Sequence, residues 1–321
     1  MMADTDRHDH GRQATGPTHL PRHAWREILK RAWVKTGNDN ISLMAAGVAF
    51  YGFLSIVPLM GALVMTYGLI ADPSTIASNM QTIIQVVPRE AAKLILDQLV
   101  NLVTTASGKK GLGLAVALLI SLYGATRASG AMIMALNVVY EQRERRNFIW
   151  TTILSFLLII GAVLVGVMGI LSASAIALVG RLAEGLGPVI GFAISATTWV
   201  IAGVLASFAI AATYRLAPDR SDAKWRWLTM GSALATLLWL IATLGFGAYA
   251  ATLGNYNATY GSLGAVVVLL MWLFVSAYAI LLGAVINAET ERQVAIDTTT
   301  GRPRPIGQRG ATMADEVAPP A

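Results

Sequence analysis

Arg127 is the one charged side chain well inside any of the long apolar runs of this chain, within ISLYGATRASGAMIMALNVVYE. On a helix, Arg127, Gly130, Met134, Asn137 and Glu141 are expected to share a face, so a polar stripe should run from Arg127 toward Asn137. A charge at the bilayer centre costs at least about 2.5–3.5 kcal/mol, so such a group faces the protein interior or water. Its expected partner is a carbonyl freed by Pro58, an acid near the end of an apolar run (Asp39, Glu141 or Glu289), or an anionic ligand. The alternative is snorkelling, with Arg127 at a shallower level than mid-membrane.

A second set of candidates lies in Ile41 to Ile70, thirty residues without one charge. Pro58 removes a backbone donor in the middle of that run and crowds the carbonyl of Leu54. In lipid a freed carbonyl needs a new partner, and the nearby Ser55 can supply one. The run is therefore expected to be a broken span. Ser55, Pro58 and the neighbouring Tyr51 join Arg127 and Asn137 as candidate substrate-binding residues. The same break also suits tight helix packing alone.

No catalytic constellation accompanies them. All four histidines (His8, His10, His19 and His23) precede the first apolar run, and there is no cysteine. Thiol chemistry and disulfides are excluded. A clustered His and Asp set for a metal is missing, as are paired carboxylates in the apolar runs and a phosphate-binding Gly-rich loop with its Lys. No cofactor and no enzyme activity are expected. The loop Gly254 to Ser262, GNYNATYGS, can hydrogen-bond neutral polar groups, but Asn and Gly there are equally plain turn residues.

The elements that must carry these residues follow from hydropathy. Of the 321 residues, 55% are hydrophobic and 13% charged; a soluble domain carries about twice that charge fraction. The reading is an all-α polytopic membrane protein with six transmembrane helices, at about 41–71, 112–140, 148–179, 188–214, 228–253 and 262–288. Residues 1–22 read as a disordered tail without a removable signal peptide, and 291–321 as a loose, proline-containing tail. Residues 23–36 predict an amphipathic interfacial helix, with Trp25, Ile28, Leu29, Ala32 and Trp33 as its apolar stripe and flanking cations for anionic lipid. Two short amphipathic helices are expected in the first outer loop, around 73–103. Membrane lipids are thus the expected partner. The net charge of +6 belongs to topology and not to nucleic acid. Eighteen Lys and Arg fall before the first run, after the second and fourth, and in the tail, against five in the other loops. Both termini are therefore expected in the cytoplasm.

Ala49-Phe50-Tyr51, Ser55-Ile56-Val57-Pro58, Ala135-Leu136-Asn137 with Tyr140, and the closing block complete the pattern. That block comprises Asn255-Tyr256, Tyr260-Gly261-Ser262-Leu263-Gly264, Trp272, Leu281-Leu282-Gly283-Ala284 and Asn287-Ala288-Glu289. In these residues the chain resembles the YihY / virulence factor BrkB family of bacterial inner-membrane proteins, over about residues 25–290. The resemblance implies six helices with cytoplasmic ends. Members have carried ribonuclease BN and virulence or serum-resistance labels, and no catalytic residues come with the family. The histidine positions argue separately against a ribonuclease. The expected function is transport or binding of an anionic or amphiphilic envelope-related substrate. The alternative is a structural or assembly factor of the envelope, with Pro58 and Arg127 serving packing.

Overall fold

The computed structural model describes residues 10–68, 110–164, 188–252 and 262–319. The outer-loop helices expected around 73–103, the distal half of the run at 148–179 and the Gly254–Ser262 loop lie largely outside them. Every regular element among the described residues is a helix. Among the described residues the only β-type pairing is an isolated antiparallel bridge between Ala223 and Thr299. After a 3-10 turn at Pro17–His19, the helices are α1 (Arg22–Asn38), α2 (Ile41–Gly68), α3 (Lys110–Val139), α4 (Phe148–Leu164), α5 (Pro188–Leu216), α6 (Trp225–Thr252), α7 (Ser262–Gln293) and the single turn α8 (Thr312–Asp315).

Leu119–Val139, Trp225–Phe246 and Val266–Gln293 are long and apolar enough to cross a membrane. The pair Arg22–Asn38 and Ile41–Ile56, bent by 62°, makes a fourth if it is one span. That bend corrects the expected broken first span. α2 continues as one helix through Pro58, and the break falls earlier, where Asn40 takes a left-handed φ of 51°. Asn is among the few residues that adopt this conformation at small cost.

α1 divides its apolar stripe between two surroundings. Ala24, Ile28 and Ala32 are buried against the bundle, whereas Leu29, Trp33 and Val34 are exposed, Trp33 by 80%. One half of the stripe docks the helix, and the other half is left outward beside Arg26 and Lys30.

The tightest crossings use glycine. A Cβ at Gly231 on α6 would overlap the Gly283 carbonyl oxygen and the Asn287 side chain, and one at Gly283 would overlap the Gly231 oxygen and the Tyr214 hydroxyl. The backbones of α6 and α7 therefore touch, as small residues permit between apolar helices. Asn287 fixes the crossing: its Oδ1 accepts from Gly231 N at 2.8 Å and its Nδ2 donates to Leu228 O at 3.0 Å. Farther along, Trp239 Nε1 donates to Ser276 Oγ at 3.0 Å. α2 and α3 make a similar approach, since a Cβ at Gly124 would lie 2.9 Å from Ser55 Cα.

Residues 294–319 depart from the loose tail that their composition suggests, and residues 10–21 likewise pack. Ala295 N donates to Arg12 O, Ala318 N to Arg292 O, and Ser221 N to Gly310 O. Arg309 is buried, and its guanidinium reaches four main-chain carbonyls, those of Ala295, Ile296, Arg304 and Ala314. Asp315 accepts the N–H groups of Gly307, Arg309 and Gly310. Together these segments cap the end of the bundle where α1, α3 and α7 meet.

Candidate functional site

Arg127 and Asn137, both on α3, stand in different surroundings. Arg127 is exposed on α3, in line with the exposed Val116, Ile120, Tyr123 and Met134. Its guanidinium carbon stands 5.1 Å from the Tyr123 ring centroid. Asn137 is buried elsewhere on the helix. The shared stripe fails for a geometric reason: ten residues at roughly 100° each place Asn137 about 80° around the helix from Arg127. Asn137 instead ties two loops together. Its Nδ2 donates to Glu144 Oε2 at 2.9 Å, and its Oδ1 accepts from Asp219 N at 2.8 Å.

Ser55 is buried, and its hydroxyl donates to Gly52 O at 2.7 Å, not to the Leu54 carbonyl that Pro58 frees. Tyr51 is half-buried, its ring edge-on to Phe50 at 5.6 Å. Pro58 lies within α2, beyond its residues with described side chains. The acids considered as partners for Arg127 are committed to other cations. Asp39 and Glu141 both meet Lys35 Nζ, at 2.9 and 2.8 Å, and Glu289 meets Arg31 at 2.7 Å.

Those pairs belong to an ionic layer at the capped end of the bundle. Arg220 and Glu291 form its centre, bonded at 2.8 and 3.0 Å with both side chains 0% exposed. The Arg220 guanidinium also stacks 4.0 Å over the Tyr140 ring. Burial alone would push Arg220 down, but the Glu291 carboxylate holds it above its ordinary value. Arg146 holds Glu144 below the usual carboxylate range, at 2.7 Å, with Asn137 adding a second bond. Asp297 is also lowered: burial opposes its charge, but bonds from Thr299 and Arg304 N outweigh that cost.

Beside this layer opens a cleft of about 490 Å³, lined by Arg145, Arg146, Asp219, Arg220, Ser221 and Thr312 among others. Its walls come from the α3–α4 loop, the α5–α6 loop and the C-terminal segment, three stretches so remote in the chain that no local motif marks it. The available signal is the concentration of Arg145, Arg146, Asp219 and Arg220 in two short loops, where the arginines also set topology. Among the described residues no group of three or more His, Cys, Asp or Glu could hold a metal ion.

Long apolar helices with outward apolar side chains, closed at one end by an ionic layer, define a helical membrane protein. The chain belongs to the Virulence factor BrkB family, whose model matches residues 32–306. It is 29% identical over 267 residues to YfkH of Bacillus subtilis (strain 168), a protein described as ribonuclease-like, covering 82% of this chain and 93% of that one. It is 26% identical over 270 residues to the UPF0761 membrane protein RSc1559 of Ralstonia nicotianae, covering 82% of this chain but 58% of that longer protein. A UPF0761 membrane protein of Tolumonas auensis is 26% identical over 266 residues, covering 80% and 82% of the two chains. No solved structure matches significantly.

Proposed function

We propose that this chain is a six-span bacterial inner-membrane protein, with both termini cytoplasmic, that binds or moves an anionic or amphiphilic substrate of the envelope. It does so without catalysing a reaction. The observation that carries the reading is Arg127 on an outward apolar face of α3, with the Tyr123 ring beside it and its expected acid partners already committed. Arg127 lies twelve residues before Val139, roughly 18 Å along the axis at 1.5 Å per residue. Across a hydrocarbon core about 30 Å thick that is far from the nearer helix end. A cation held there is stabilised by an anion arriving from the bilayer or from a lateral groove. The ribonuclease-like description of the Bacillus relative is not carried over, because among the described residues no group of three or more His, Cys, Asp or Glu could hold a metal ion for that chemistry.

A structural role in the envelope is the second reading, favoured by the close Ser55–Gly124 crossing beside the same stretch of α3. Arg127→Ala and Arg127→Lys separate the two. Both variants are expected to reach wild-type membrane levels. Arg127→Ala should fail to complement a deletion phenotype, and Arg127→Lys should complement it partly. Normal insertion with full complementation by both variants would sink the substrate reading.

A further inference from the structure

We infer that the cleft beside the ionic layer is a headgroup site for a membrane phospholipid, and that it grips the phosphodiester. The carboxylates around it are already occupied. Asp219 accepts Arg145 N at 2.7 Å and lies 3.9 Å from Arg146. Asp315 is filled by three main-chain N–H groups. Arg146 is matched by Glu144 and Arg220 by Glu291.

What remains is donor capacity without a partner. The Arg145 side chain is exposed and has no acid partner among the described residues. The Ser221 hydroxyl, also in the lining, is free there. One unmatched cation with a neutral hydroxyl suits the single negative charge of a phosphodiester. A doubly charged phosphomonoester would set its second charge against Asp219 and Asp315 with no cation left to meet it.

Depth favours a membrane source. Three residues after Arg145 the chain enters α4, where Phe148 and Trp150 are 84% and 62% exposed, with Ile149 between them. Large rings exposed at the start of an apolar helix sit at the headgroup level. The cleft therefore opens where lipid phosphates lie. This inference rests on membrane residence and not on Arg127, whose variants leave the cleft intact, so the two readings fail separately.

The test uses the full chain in detergent, titrated in native mass spectrometry with three probes. These are phosphatidylglycerol, diacylglycerol with the same acyl chains, and soluble glycerophosphoglycerol. Wild type should retain phosphatidylglycerol and bind the other two at least about tenfold more weakly. Arg145→Gln should lose about tenfold or more of that binding, Arg145→Lys should restore part of it, and Arg143→Gln, at an exposed arginine that does not line the cleft, should change nothing. The variants at Arg145 keep its main-chain bond to Asp219, so folding is preserved. Equal binding by wild type and Arg145→Gln, an equal loss in Arg143→Gln, or retention of diacylglycerol as tightly as phosphatidylglycerol would overturn the site. Glycerophosphoglycerol binding as tightly as the lipid would overturn the membrane source.

Discussion

Arg220 and Glu291 show what a charge pair does when neither partner touches water. Transfer of both ions from water is costly, and the pair recovers that cost only through close geometry and further contacts. Here two short bonds, the Tyr140 ring and the Thr298 hydroxyl at 3.3 Å from Glu291 supply them. Removing one partner leaves the other charge buried and alone, which costs about 3–5 kcal/mol. Arg220→Met is therefore expected to lower the thermal unfolding temperature strongly in detergent. The double variant Arg220→Met with Glu291→Leu should recover most of the loss. A double variant no better than the single one would show that the pair contributes more than mutual neutralisation.

At the scale of the element, the α6–α7 crossing depends on the missing side chains of Gly231 and Gly283. The atoms a methyl would meet at Gly231 include backbone, which cannot rotate aside. Overpacking of this kind costs roughly 1–3 kcal/mol, so Gly231→Ala should reduce unfolding temperature and membrane yield. Gly245→Ala on the same helix meets nothing within 4 Å and should be neutral or slightly stabilising, by up to about 1 kcal/mol. Equal behaviour of the two variants would argue against a backbone-tight crossing. α1 carries a complementary lesson. Its stripe was legible from spacing, but which half docks and which half faces outward depends on where α7 lies.

For the whole molecule, the capped end is held by acids that must stay ionised. Asp297 and Glu144 sit below their ordinary values of 3.8 and 4.5. A lowered folded-state pKa contributes stability that is complete above the ordinary value and is lost as pH falls from there through the lower folded-state value. The cap is thus expected to stay closed at neutral pH and to loosen below about pH 4.5, read as faster hydrogen exchange in residues 294–319. Asp297→Asn should raise exchange there at pH 7 and flatten its acid dependence. An unchanged exchange profile in that variant would remove Asp297 from the cap. The contacts that form this cap, Arg309 on four carbonyls and Asp315 on three N–H groups, join side chain to main chain over irregular backbone. They leave no hydrophobic period, which is why Pro303 and Pro305 read, from sequence, as part of a loose tail.

The sequence by itself determined that the chain is helical, that it resides in a membrane and which family it belongs to. Each of these is written in local pattern: uncharged runs of span length, and motif blocks such as Tyr260-Gly261-Ser262-Leu263-Gly264. It also marked Arg127, because burial cost is a property of one residue in one run. Only the tertiary structure decided what the polar residues do. It turned Arg127 and Asn137 to different sides, put the bend at Asn40 and not at Pro58, and paired Arg31 with Glu289, 258 residues away in the chain. Pairing at that separation is set by how helices cross, and helix crossing depends on contacts that no local spacing encodes.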